Sequence, residues 1–258
     1  MPFPDRAIIL AAGPGGRLLP DTADRPKALL SVGKETLLEF QVRALRVMGI
    51  ERITVVTGHG AQRVREAMGD SVGYCHNDRY RETNSLYSLW VAAGFGLPGC
   101  LIFNSDVLFH PSLLQRLLES DCEEALLVDF RGGLGEEEMK VIVRRGQVAE
   151  ISKNIDPSRA EGENLGMVKV GAEGAREFFD VAASFARQGE WNLWVPHAVE
   201  ALIGRRGFAA ISTGGLPWIE IDYRHDLERA RREIYPLVSE ALNGLEQARN
   251  PRRSAPQA

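Results

Sequence analysis

Between Ile8 and Gly33 the chain reads I-I-L-A-A-G-P-G-G-R-L-L-P-D-T-A-D-R-P-K-A-L-L-S-V-G, and no other stretch limits so narrowly what it can fold into. An apolar, β-branched run from Ala7 to Leu10 stops at Ala11 and Ala12. Gly13, Gly15 and Gly16 follow, with Arg17 and then Lys27 beyond them. Glycines let backbone N–H groups approach a ligand without Cβ interference, and successive N–H groups form an anion-binding nest. Arg17 and Lys27 add positive charge for phosphate oxygens. A strand, a bare loop and two cations at its rim describe a nucleoside triphosphate site. Two better-known phosphate loops are excluded by the residues. A dinucleotide fingerprint needs a glycine where Leu18 stands, and a P-loop needs Ser or Thr where Glu35 follows Gly33-Lys34.

Apolar strands and amphipathic helices alternate after that loop. Arg52–Thr57, Val72–His76, Cys100–Phe103 and Ala125–Asp129 read as strands, and Leu38, Val42, Leu45 and Met48 repeat at helical spacing, as do Leu113, Leu114, Leu117 and Leu118. Such alternation predicts an α/β fold: a mostly parallel, twisted sheet with helices on both faces and ligands beyond the carboxyl ends of its strands. The second half is more mixed. Lys140–Val143 and Val148–Ile151 flank a hairpin turn, Gly166–Val170, Phe208–Ser212 and Trp218–Ile221 read as strands, and helices are expected near 172–186, 193–203 and 226–234. The organisation expected is one domain over residues 1–242, with a nucleotide half to about 130 and an acceptor half with a small mixed lid from about 131. Residues 243–258 lose periodicity and read as a disordered tail.

The opening signature, with Leu10, Ala11, Ala12, Gly13, Gly15, Arg17, Leu18, Pro20, Thr22, Pro26, Lys27 and Leu29 in register, resembles that of nucleotidyltransferases making nucleotide-activated sugars and alcohols. Asn77, Tyr80, Thr83, Asn84, Ser88 and Leu89 are similar to the N-x-x-Y-x-x-T-N-x-x-x-S-L pattern of the bacterial choline-phosphate cytidylyltransferase-like group, which includes phosphonate cytidylyltransferases. Glu137–Val141, Ile151–Lys153, Gly162-Glu163 with Gly166, and Gly215–Asp222 extend the resemblance to about Arg232. It implies a GT-A-like Rossmannoid fold and transfer of CMP from CTP to a small phosphate or phosphonate acceptor, with release of pyrophosphate.

Nucleotide binding is expected at Leu10, Ala11, Ala12, Gly13, Gly15 and Gly16 and catalysis by the cations Arg17, Lys27 and Lys153, and the resemblance assigns Mg2+ to Asp106 and Asp222. Chemistry agrees: phosphate attack on phosphorus joins two anions and calls for a divalent cation held by carboxylates. Asp106 ends the strand L-I-F-N-S-D and Asp222 stands in W-I-E-I-D-Y, with Glu220 on the same strand face; a turn or helix cap is the competing reading of each aspartate. Cytosine differs from uracil by its exocyclic amine, to which Asn84 and Ser88 can present side-chain oxygens. Lys140, Glu163, Trp194 and Trp218 are the expected acceptor contacts, although Trp194 can equally pack into the core. Arg17 and Lys27, as rim cations, are expected to matter for turnover rather than stability.

One departure bears on the acceptor. Choline-phosphate members carry an aromatic and acidic N-x-Y-Y-E-D stretch, where this chain has W-N-L-W-V-P-H at Trp191–His197 and no carboxylate. That favours 2-aminoethylphosphonate or a polyol phosphate over phosphocholine. A sugar-1-phosphate enzyme using UTP, dTTP or GTP, and an inactive nucleotide-sensing module, are the alternatives. With 31 basic and 35 acidic side chains the net charge is −4, which argues against nucleic acid as partner. Apolar runs too short to span a bilayer and three scattered cysteines point to a cytoplasmic protein without a membrane partner. A homodimer is the assembly considered.

Overall fold

In the computed structural model, which describes residues 4–249, the opening apolar run forms β1 (Arg6–Ala11) and ends at the glycine loop. There follow α1 (Leu37–Val47), β2 (Arg52–Thr57), α2 (Ala61–Met68), β3 (Gly73–His76), α3 (Ser85–Val91), the short α4 (Ala93–Gly96), β4 (Cys100–Asn104), β5 (Val107–Phe109), α5 (Pro111–Glu119) and β6 (Glu124–Asp129). The second half supplies β7 (Lys140–Arg144), β8 (Gln147–Ser152), β9 (Gly162–Val170), α6 (Ala172–Arg187), α7 (Val195–Leu202), β10 (Phe208–Ser212), β11 (Trp218–Glu220), α8 (Arg224–Arg229) and α9 (Tyr235–Arg249). A π-helical turn over Ala230–Ile234 joins the last two.

Local chemistry sets these boundaries. Thr36 and Glu39 close a reciprocal capping box on α1. The β7–β8 hairpin turns through Arg145 and Gly146, both at positive φ, as a two-residue hairpin whose twist matches its strands requires.

Nine strands form one sheet in the order β3-β2-β1-β4-β9-β6-β10-β8-β7. Its alternating residues feed two cores. Ala7, Ile9 and Ala11 pack with residues of α1, α5 and α9 on one face, whereas Ile8 and Leu10 pack with α3, α6 and α7 on the other. The expected α/β arrangement with helices on both faces is therefore present. The parallel part covers β3-β2-β1-β4 and the β6–β10 pair. Between them β9 runs antiparallel to β4 and β6, which makes the sheet mixed. The reason lies in the connections: parallel neighbours need a crossover, and no helix intervenes between β7 and β9. The expected hairpin, part of the mixed half read as carrying a lid, is hydrogen-bonded into the same sheet through β7–β9 and β8–β10.

A separate two-stranded ribbon pairs β5 with β11. Residues 243–249 of the expected tail are helical in α9, where Leu242 and Val238 are buried; the remainder of that tail, 250–258, lies outside the described residues. No helix among the described residues is long and apolar enough to cross a membrane.

Candidate active site

At the carboxyl end of β1 a cleft of about 740 Å3 opens, lined by the glycine loop, α3, the ribbon and the start of the second half. Gly15 has φ 64° and would bring a Cβ to 3.2 Å from Thr22 and Lys27, so this position needs glycine. Thr22, buried, donates its hydroxyl to the Gly15 carbonyl at 2.8 Å and fixes the loop. Gly13 and Gly16 face open space: nothing lies within 4 Å of an added Cβ at either. Leu10, Ala11 and Ala12 line the cleft beside them, as expected.

The ribbon explains how two distant aspartates meet. Glu220 pairs with Val107, and the Ile221 N–H donates to the Asp106 carbonyl at 3.0 Å. Asp106, Glu220 and Asp222 thereby place carboxylate oxygens within 4.8 Å of one another. Lys27 Nζ donates to Asp222 at 2.6 Å and Asp106 at 2.9 Å, and Arg17 donates to Asp222 at 2.8 Å. Burial works against the Lys27 ammonium, but the two aspartates overcome it and hold its pKa above the ordinary lysine range. Glu220 is pushed up to about 8, first by burial and then by the charges of Asp106 and Asp222. One oxygen of Asp106, Oδ1, is buried without a hydrogen-bond partner. Three converging carboxylates with an orphaned oxygen suit a hard, oxygen-seeking divalent cation.

Sequence reasoning missed the group that steadies Asp222. Asp226 accepts from the N–H groups of Asp222 and Tyr223, at 3.1 and 2.8 Å. An acidic residue four positions on, opening α8, was the available signal. Tyr223, also missed, lies under the Arg17 guanidinium at 5.1 Å.

Toward α3 the cleft is lined by Tyr80, Arg81, Thr83, Asn84 and Ser88. Gly58 lets this wall close: a Cβ there would sit 2.6 Å from both the Ala12 carbonyl and Tyr80. Asn84 caps α3, its Oδ1 accepting from Ser85 N at 2.8 Å while its Nδ2 donates to Asn192. Ser88 stands one turn further along α3. Its oxygen already accepts from Asn77 Nδ2 at 3.0 Å, which leaves it its hydrogen and one lone pair to offer.

The opposite wall holds Glu137, Met139, Lys153, Asn164 and Trp194. Lys153 Nζ stands 5.2 Å over the Trp194 ring and 3.8 Å from Glu137, which lies equally far from Arg17. Trp194 is 36% exposed and stacks on His197, so it belongs to the cleft and not to the core. Three expected acceptor contacts, Lys140, Trp218 and Glu163, are not part of the cleft lining. Lys140 is fully buried, its ammonium donating to the carbonyls of Gly135, Glu136 and Glu138; that loop, not a ligand, takes up its charge. Trp218 is 9% exposed and donates Nε1 to Asp129 at 2.6 Å, which anchors β11 against β6. Glu163 is on β9 opposite Asp129 and Lys140, its pKa pushed up to about 7 by burial and by Glu138 and Asp129.

Comparison with known proteins agrees with this geometry. A family described as MobA-like NTP transferase domain matches residues 7–169. The chain is 26% identical over 248 residues to the CTP:phosphoglutamine cytidylyltransferase of Campylobacter jejuni, covering 86% of this chain and 97% of that protein. It is 31% identical over 251 residues to the bifunctional IPC transferase and DIPP synthase of Rubrobacter xylanophilus, covering 92% of this chain and 54% of that one. The inositol-1-phosphate CTP transferase structure from T. maritima superposes with a TM-score of 0.79 at 23% identity over 94% of this chain and 98% of that chain, a likeness of fold.

Proposed function

The chain belongs to the MobA-like NTP transferase family, and from that premise we propose that it transfers CMP from CTP to a small phosphate or phosphonate acceptor, releasing pyrophosphate. The observation that carries the reading is the convergence of Asp106, Glu220 and Asp222 with Lys27 and Arg17 beside a bare glycine loop. The relatives named above that act with CTP favour cytidine over other nucleotides.

The acceptor's phosphate oxygen attacks the α-phosphorus of the nucleotide as the bond to the pyrophosphate leaving group breaks. No protein nucleophile takes part, so the chain contributes position and charge. Backbone N–H groups of the Gly13–Gly16 loop hold the triphosphate, and Arg17 and Lys27 neutralise it. Asp106 and Asp222, with Glu220 beside them, would hold Mg2+, which supplies charge stabilisation at the reacting phosphorus. Lys153 receives the acceptor phosphate across the cleft. Because its ammonium covers the Trp194 face, that ring is not free to cage a trimethylammonium head. Among acceptors, 2-aminoethylphosphonate or a polyol phosphate is therefore placed ahead of phosphocholine.

Pyrophosphate release across CTP, UTP, dTTP and GTP, each with a panel of these acceptors and Mg2+, tests the reading. CTP-dependent turnover is the expected result, and preference for a sugar 1-phosphate with another nucleotide would overturn it. Asp106→Asn and Asp222→Asn should each lower turnover about a thousandfold or more while circular dichroism stays native. Near-normal rates in both would remove the metal assignment.

A further inference from the structure

We propose that Asn77 is the positioning residue that fixes Ser88 as a hydrogen-bond donor toward the nucleotide base, and that this polarity selects cytosine over uracil. The inference rests on the CTP reading above.

Asn77 follows β3 and is fully buried, and its own N–H donates to the Thr57 carbonyl at 2.9 Å. Its Oδ1 accepts from the backbone N–H of Arg79 at 2.9 Å. A backbone N–H can only donate, so the atom facing it must be the oxygen and the amide has one orientation. Both Nδ2 hydrogens are then directed, one to Thr83 Oγ1 at 2.9 Å and one to Ser88 Oγ at 3.0 Å. Thr83 passes its own hydrogen to the Arg79 carbonyl at 3.0 Å, consistent with accepting from Asn77. Ser88 accepts in the same way, but its hydroxyl hydrogen meets no acceptor among the described residues. Ser88 is 4% exposed, and it lines the cleft with Leu10, Ala11 and Ala12.

A hydroxyl whose hydrogen lacks a partner among the described residues distinguishes the two pyrimidines at N3. Cytosine N3 is an acceptor and completes the chain from Arg79 through Asn77 and Ser88. Uracil carries a hydrogen on N3; it could give it only to the remaining Ser88 lone pair, which would leave the Ser88 hydrogen without an acceptor in a buried site. A closed chain of this kind holds its direction because each member has its partners.

The test reverses the chain. In Asn77→Asp, assayed near pH 8, the Arg79 N–H keeps one carboxylate oxygen while the other accepts from the Ser88 hydroxyl. The Ser88 lone pairs then face the base and suit uracil. The ratio of kcat/KM for CTP to that for UTP is expected to fall at least about tenfold, the scale of one misdirected hydrogen bond. A merely structural role would lower both values together and leave the ratio in place. Ser88→Ala, a helix-compatible change, serves if the first variant does not fold: its ratio should fall similarly with a near-native melting temperature. A CTP-selective wild type whose folded variants keep its ratio overturns the role of Asn77 alone. A wild type indifferent to CTP and UTP overturns the nucleotide reading and this inference with it.

Discussion

Lys27 sits where two aspartates would otherwise repel each other. Read as a rim cation, it should have been dispensable for stability; its side chain is instead only 14% exposed, bonded to Asp106 and Asp222 across the floor of the cleft. Removing one partner of a buried ionic cluster leaves the others uncompensated. Lys27→Met should therefore cost on the order of 3 kcal/mol of stability without nucleotide, in addition to its loss of turnover. Millimolar Mg2+ should raise the melting temperature of this variant more than that of the wild type, because the cation takes over the missing charge. Equal melting temperatures for the two apo proteins would return Lys27 to the rim. The sequence singled out Lys27, Asp106 and Asp222 as candidates but could not place them in contact: residues this far apart in the chain meet only through the β5–β11 ribbon.

Elements differed in how plainly their residues announced them. Strands β2 and β10 occupy the ranges their apolar runs predict, and α1 contains Leu38, Val42 and Leu45 of the run read at helical spacing, since buried alternation and a capping box are local signals. The three-residue β5 carries no such signal; it exists because β11 pairs with it from the far end of the chain. Likewise α9 has a weakly apolar face that becomes a helix by packing Val238 and Leu242 into the core that α1 shares. The start of α5 illustrates a local device with a pH signature. His110 accepts at Nδ1 from the Ser112 N–H at 3.2 Å, which it can do only when that nitrogen is unprotonated. Burial, and then the charge of Arg116, hold its pKa below the usual 6.5. As pH falls through 6.5 the unfolded chain gains the proton first, so stability declines on the acid side. His110→Asn retains a capping oxygen and does not titrate. Urea unfolding at pH 7.5 and 5.5 should show a smaller loss for the variant than for the wild type, and an equal loss in both would acquit His110.

At the scale of the whole molecule, the two halves of the one expected domain, parted near residue 130 where strand–helix alternation gives way to a mixed pattern, share a sheet that does not divide there. The last strand of the nucleotide half, β6, has β9 and β10 as its neighbours, and both come from the second half. β4 likewise takes one edge from β9, and Ile8 and Leu10 of β1 are covered by a cluster containing Phe178, Phe179 and Val195. A fragment of residues 1–130 would thus hold β6 without a strand partner, an open β4 edge and an uncovered sheet face. It would also lack Asp222, and with it half of the aspartate pair. We expect that fragment to remain unfolded or to aggregate, and the full chain to unfold in one transition. The two probes that check this report on different places: circular dichroism averages over all elements, while tryptophan emission comes from Trp90 in the first half and Trp191, Trp194 and Trp218 in the second. Coincident denaturation curves from both, with a single calorimetric peak that moves as a whole when CTP and Mg2+ are added, would show that the cleft is built by one cooperative unit. A cooperative melt of the isolated fragment, or two separable transitions in the full chain, would show that the glycine loop and its strands can stand without the half that completes the site.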